Sequence, residues 1–167
     1  MTRLFLLRHS RAGWAEPGMR DFDRPLDEAG TRGAVAAGRA MRERDYAPDL
    51  VICSSARRAR ETLDGVARVL DTGRIIYTEG LYSTDAAGYV DIIAEAPKAE
   101  SLLLIGHNPM MEDVAMALSG DGDETANGSI LNGFPTSGLA VIRFAGALSF
   151  VAPGKGYLEA FVTPAEH

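Results

Sequence analysis

Leu4-Phe5-Leu6-Leu7-Arg8-His9-Ser10 decides how this chain is read. An unbroken apolar run, Leu4–Leu7, is the mark of a strand buried on both faces. It ends at an arginine and a histidine. The same arrangement returns at Leu102–Ile105, which is followed by Gly106-His107-Asn108. A third apolar run, Leu50–Cys53, follows Pro48 and leads into Ser54-Ser55-Ala56-Arg57-Arg58. In open α/β sheets ligands bind beyond the carboxyl ends of the strands. Three such ends would therefore deliver Arg8-His9, Arg57-Arg58 and His107-Asn108 to one rim.

Outward from these runs, strand and helix signals alternate. Residues 27–45 read as a helix with Asp27 as N-cap. Residues 56–70 read as a second helix, whose Ala59, Leu63, Val66 and Leu70 draw one apolar stripe. Ile75–Tyr77 reads as a weaker strand and 86–95 as a helix closed by Pro97. Residues 110–118 read as a helix opened by Pro109, and 139–144 and 157–162 as closing strands. The stretch 119–138, rich in Gly, Asp, Asn and Ser, shows no clear element and reads as a long loop. The expected fold class is α/β, a mainly parallel central sheet with helices on both faces, in one domain over 1–167.

Composition narrows the function. The 167 residues carry a formal net charge of −6 and are 46% apolar. Such a chain has a core but no overall electrostatic pull toward nucleic acid or anionic membrane. An anionic ligand must be held by local arginines. The one cysteine, Cys53, allows no internal disulfide, so a reducing compartment is expected. The first ten residues are too short in apolar character for a signal peptide or a membrane span. A cytoplasmic location is the default.

The rim has the makings of a phosphate site. Arginine presents a planar fork matched to phosphate oxygens, and Arg58 falls in a first helical turn, where free N–H groups favour an anion. A neutral imidazole can attack phosphorus and form a covalent intermediate. Phosphoryl transfer asks mainly for positioning and charge stabilisation.

Leu6-Leu7-Arg8-His9-Ser10, Arg58-Ala59-Arg60-Glu61-Thr62 and Gly106-His107-Asn108-Pro109 together resemble the three signature segments of the histidine phosphatase superfamily, the group that includes phosphoglycerate mutases. The first segment, with Asp21-Phe22-Asp23-Arg24-Pro25-Leu26, is similar to its small phosphohistidine phosphatase branch, the SixA type. The resemblance implies a phosphoglycerate mutase-like fold, His9 as nucleophile, and a phosphate pocket of Arg8, Arg58 and His107, with Ser10 and Asn108 as further binding residues. Arg58, rather than Arg57, begins the Arg-Ala-x-x-Thr pattern. The chain has no clustered set of His, Cys and carboxylates at metal-ligand spacing, so no metal and no cofactor are expected.

Ser10 stands where the superfamily commonly has Gly. The mutase-like members carry a general acid after the third strand; here that region is Glu79-Gly80-Leu81-Tyr82-Ser83-Thr84-Asp85, with Glu79 and Asp85 as candidates. Only residues 71–100 separate the second helix from the fourth strand, which suggests an open cleft able to admit a phosphorylated protein. The expected partner is a phosphohistidine protein or a small phosphorylated molecule. A phosphatase of small phosphomonoesters and a non-catalytic phosphate-recognition module are the alternatives.

Other signals are set aside. Cys53 and Arg58 are one residue too close for a cysteine phosphatase loop, and Cys53 reads as a buried thiol. Asp121-Gly122-Asp123-Glu124 lacks calcium-loop spacing. Gly154-Lys155-Gly156 is too short for a P-loop. Trp14 and Met19 could touch substrate or cap the core. His167 is the last residue and carries no weight.

Overall fold

The chain was analysed as a computed structural model, which describes residues 1–164. His167 lies outside them. The elements run β1 (Thr2–Arg8), α1 (Glu28–Glu43), β2 (Leu50–Ser54), α2 (Arg57–Ala67), β3 (Arg74–Thr78), α3 (Gly80–Ser83), α4 (Ala86–Glu95), β4 (Ser101–Gly106), α5 (Met110–Leu118), β5 (Ser119–Gly122), α6 (Glu124–Ile130), β6 (Leu139–Phe144) and β7 (Gly156–Val162). Short 3-10 turns occupy Asp21–Asp23 and Leu148–Phe150.

All seven strands join one sheet in the order β3-β2-β4-β1-β6-β7-β5. The pairings β1–β4, β2–β3, β2–β4 and β5–β7 are parallel; β1–β6 and β6–β7 are antiparallel. The fold is the mainly parallel α/β architecture that the strand patterns imply.

The apolar runs explain the layers. Successive strand side chains point to opposite faces, so a continuous run supplies two cores. Phe5, Leu7, Val51, Cys53, Leu103 and Ile105 pack under α1 and α2 with Ala37, Met41, Ala59, Leu63 and Val66. Leu4, Leu6, Ile52, Leu102 and Leu104 pack on the other face, against Leu81, Tyr89 and Ile93 of α3 and α4, Met111 and Val114 of α5 and Ile130 of α6. Asp27 caps α1, accepting from Gly30 N at 2.6 Å.

The stretch 119–138 is not a long loop. It contains β5, which pairs with β7, and α6, whose N-cap Asp123 accepts from Ala126 N at 3.0 Å. Its pattern hides the structure because β5 is a glycine-rich edge strand and α6 buries only Ala126 and Ile130. The four-residue α3 was also unforeseen, and α2 ends at Ala67 rather than near Leu70.

Helices α1 and α2 cross at glycines. A Cβ on Gly65 would stand 2.5 Å from the Ala34 Cβ, closer than carbon atoms pack. Gly65→Val is therefore expected to lower stability by about 1–3 kcal/mol, the range for overpacking. Urea unfolding followed by far-UV circular dichroism measures it; an unchanged midpoint would show that the helix contact yields freely.

Candidate active site

The sheet order brings the expected segments together. Strands β1 and β4 are neighbours, with Arg8 in register with Gly106, and His9 N donates to Gly106 O at 3.0 Å. The His9 and His107 rings follow side by side, with centroids 5.2 Å apart. Strand β2 lies on the far side of β4, so its continuation carries Arg58 to the same end. His9, Arg58 and His107 are all buried.

His9 is set up chemically by one hydrogen bond. Its Nδ1 lies 2.8 Å from the Ser10 carbonyl oxygen. A carbonyl only accepts, so Nδ1 carries the ring proton and Nε2 keeps its lone pair. Burial lowers the His9 pKa to about 4; the Ser10 carbonyl opposes the fall, and the charges of Arg58, Arg8 and Arg24 add to it. His107 is lowered to about 3, by burial and then by His9 and Arg58. Both rings are neutral at neutral pH.

Among the described residues four buried side-chain polar atoms have no hydrogen-bond partner: Arg8 Nε, Arg58 Nε, His107 Nδ1 and Ser119 Oγ. Buried polar atoms are nearly always paired. Three of these four belong to the rim's expected phosphate donors, Arg8, Arg58 and His107. Both guanidinium groups are also anchored from behind. Arg8 Nη1 donates to Phe134 O at 2.8 Å, and Arg58 donates through Nη1 to Asp21 O at 2.8 Å and through Nη2 to Asp21 Oδ2 at 3.1 Å. Arg57 points away, exposed, and pairs with Glu61 at 3.1 Å.

Ser10 and Asn108 sit at the rim but are occupied. Ser10 is fully buried, with its Oγ 2.6 Å from Ser137 Oγ and its N–H on Thr62 Oγ1. Asn108 Nδ2 donates to Phe134 O and its Oδ1 accepts from Glu112 N. Asp85 is engaged as the N-cap of α4, accepting from Gly88 N at 2.9 Å. Glu79 is exposed at the edge of a cavity of about 390 Å³ that it shares with Arg20, Asp21, Phe22 and Tyr82.

Asp21 is the carboxylate that the structure puts against the rim. It accepts from Arg58, from Tyr82 Oη at 2.9 Å and from Arg24 Nε at 3.0 Å. Burial alone would raise its pKa, but the Tyr82 hydroxyl with Arg58 and Arg24 outweighs that and holds it below the usual carboxylate range. Tyr82 in turn lies edge-on to the His107 ring, with centroids 5.5 Å apart. Trp14 is 95% exposed in the loop beyond His9, whereas Met19 is half-buried. Cys53 is fully buried, which pushes its thiol pKa far up. No group of three His, Cys, Asp or Glu among the described residues is arranged to hold a metal. None of the described helices is long and apolar enough to cross a membrane.

Residues 4–103 match the sequence profile of the histidine phosphatase superfamily, branch 1. The chain belongs to that superfamily. An uncharacterized protein of Mycobacterium tuberculosis is 36% identical over 166 residues, covering 95% of this chain and 99% of the relative. A candidate phosphohistidine phosphatase SixA of Agrobacterium tumefaciens superposes with a TM-score of 0.82 at 37% identity, covering 98% of this chain and 99% of that one. A second candidate SixA, from Nakamurella multipartitia, gives 0.82 at 29% identity, with 98% and 96% covered. This histidine phosphatase is of the SixA type.

Several residues of the histidine phosphatase site escape sequence reading. Ser54, Thr62 and Ser137 act through hydrogen bonds made by the fold, and Phe134 contributes only a carbonyl. Asp21 and Tyr82 are the exceptions. Asp21 stands inside a segment that marks the SixA branch, and Tyr82 lies three residues from Glu79 in the region searched for an acid.

The two lowered histidine pKa values fix a pH dependence. In the unfolded chain both rings titrate near ~6.5, so below that pH the unfolded state binds more protons than the folded one. Stability is complete above ~6.5 and falls as the pH drops toward about 4, by up to ~1.4 kcal/mol per pH unit for each ring. Ring NMR titration should find both neutral at pH 6. A midpoint near 6.5 for either would refute this burial argument.

Proposed function

We propose that this phosphatase hydrolyses protein phosphohistidine through a phosphorylated His9. The His9 Nε2 lone pair attacks phosphorus and the new N–P bond forms; the P–N bond to the substrate imidazole breaks with that ring already protonated by solvent on its other nitrogen, so it leaves as neutral imidazole. Water then cleaves phospho-His9 and releases inorganic phosphate. Arg8, Arg58 and His107 donate to the phosphoryl oxygens in both steps, and no metal takes part. Ser10 and Asn108 hold the rim in shape from behind. The enzyme works as one domain in the cytoplasm, where its lone buried thiol stays reduced.

Asp21 carries the choice of substrate. An alkoxide leaves badly without a proton donor, and such help is worth ~10²–10⁴-fold. The carboxyl against the rim is held ionised by Tyr82, Arg58 and Arg24, so it has no proton to give at neutral pH. Asp85 is engaged as a helix cap. An imidazole leaves readily, since its conjugate acid has a pKa of ~6.5. The two candidate SixA structures at 37% and 29% identity support the same substrate. One observation favours the small-phosphomonoester alternative: exposed Glu79 borders the cavity beside Tyr82, where it could serve as an acid for a small ester.

Comparison of kcat/KM for a phosphohistidine protein and a serine phosphate, in excess chelator, tests the proposal. The phosphohistidine protein should win by at least ~100-fold, with acid-labile, base-stable label trapped on His9 and none on His9→Ala. Equal turnover of the ester, lost in Glu79→Gln, would establish the alternative, and loss of activity to chelator would overturn the metal-free step.

The two neighbouring arginines should separate cleanly. Arg58→Ala should raise the barrier by roughly 2–4 kcal/mol, as for other preorganised donors. Arg57→Ala, on the surface, should change it by less than ~0.5 kcal/mol. Single-turnover rates at saturating substrate decide, and the reverse order would move the phosphate site one residue along α2.

A further inference from the structure

Ser54 is fully buried where β2 ends, and no step of the proposed chemistry uses it. Its Oγ has two neighbours. It accepts from Ala56 N at 3.2 Å, and it lies 2.8 Å from His107 Nε2. The first fixes what the second can be. A hydroxyl has one proton and two lone pairs. If His107 Nε2–H donated to it, Ser54 would accept twice and its own proton would have no acceptor among the described residues. His107 Nδ1 would then be a bare lone pair, buried beside the arginines and opposed to any phosphoryl oxygen. If instead the Ser54 hydroxyl donates to Nε2, every polar atom of the pair is used except Nδ1–H. That atom is one of the three unpartnered donors of the rim.

We propose that Ser54 is a positioning residue that sets the His107 tautomer: its hydroxyl donates to Nε2, so the ring proton stays on Nδ1, ready for a phosphoryl oxygen. The inference rests on the reading of His107 as a phosphoryl donor. The surroundings keep the ring from turning over to exchange its nitrogens. His107 N–H donates to Tyr89 Oη at 3.1 Å, and Tyr89 donates to the Leu81 carbonyl. Tyr82 closes on the ring edge-to-face. Tyr89 of α4 therefore fixes the His107 backbone and Tyr82 of α3 abuts its ring, while the strand beside it dictates its proton. The dependence resembles a catalytic histidine oriented by a carboxylate, but a serine does it without adding charge to a pocket meant for an anion.

The ring tautomer can be read directly. In the full chain with ¹⁵N-labelled histidine at neutral pH, His107 should show a protonated Nδ1 and an unprotonated Nε2. Ser54→Ala should lose that preference and lower kcat/KM for p-nitrophenyl phosphate by ~10–100-fold, within the range for loss of one preorganised donor. Ser54→Thr keeps the hydroxyl and should restore both. A protonated Nε2 in the unaltered chain would overturn the proposal, and that spectrum decides even where Ser54→Ala fails to fold. Ser54→Ala that loses activity with Nδ1–H intact would also overturn it, since the serine would then act by packing alone. No turnover of any phosphoryl substrate by the unaltered chain would sink the phosphatase reading instead, and the tautomer would still decide for Ser54.

Discussion

Strand β1 is hydrogen-bonded along both edges, to β4 in parallel and to β6 in antiparallel, and everything at the rim hangs from it. The pairing does not stop where the strand does. Arg8 N donates to Gly138 O, His9 N to Gly106 O, and Ser137 N returns to the carbonyls of Arg8 and His9. The backbone of His9, the proposed nucleophile, is thus fixed by the two central neighbours of a sheet covered on both faces. A rigid element holds a reacting group more tightly than a loop can. The side chain needs only one further constraint, the Ser10 carbonyl, to choose which nitrogen reacts.

Charge is arranged around that strand with equal economy. Burying guanidinium groups is costly unless they are paired and hydrogen-bonded. Asp21 answers Arg58 with a carboxylate and a carbonyl, and Phe134 answers Arg8 with a carbonyl. The imidazoles stay uncharged. What is left over among the described residues is a set of buried nitrogens without partners on Arg8, Arg58 and His107, and on the proposed reading these are the preorganised donors that stabilise a transferring phosphoryl group at little reorganisation cost. The same Asp21 that balances Arg58 is thereby disqualified as a proton donor. On the proposed reading, stability of the pocket and choice of leaving group come from one side chain.

Much of this was legible in the chain. The runs at Leu4, Leu50 and Leu102 are buried on both faces, so they announce central strands, and the polar residues after them necessarily meet at one end. Arg8, His9, His107 and the pair Arg57-Arg58 could be placed on that ground, and the resemblance of Arg58-Ala59-Arg60-Glu61-Thr62 to a signature segment singled out Arg58. The stretch 119–138 could not be read, because an edge strand and a helix with two buried residues carry almost no periodic signal. It nevertheless leads into Phe134 and Ser137, whose carbonyl and hydroxyl brace Arg8 and Ser10. Backbone acceptors leave no trace in residue type. Asp85 misled for a related reason: a carboxylate near a site and one capping a helix look alike until the helix start is known.

Trp14 is the chain's one tryptophan and stands almost wholly in water, in the loop beyond His9. Its indole already has the surroundings it would have in the denatured chain. Fluorescence will therefore be nearly blind to unfolding, and the buried Tyr89 is the better optical witness of the core. The same blindness is useful in the native state. Emission from Trp14 starts at its most water-exposed, so any molecule that settles over its loop and excludes water from the indole would shift it toward the blue.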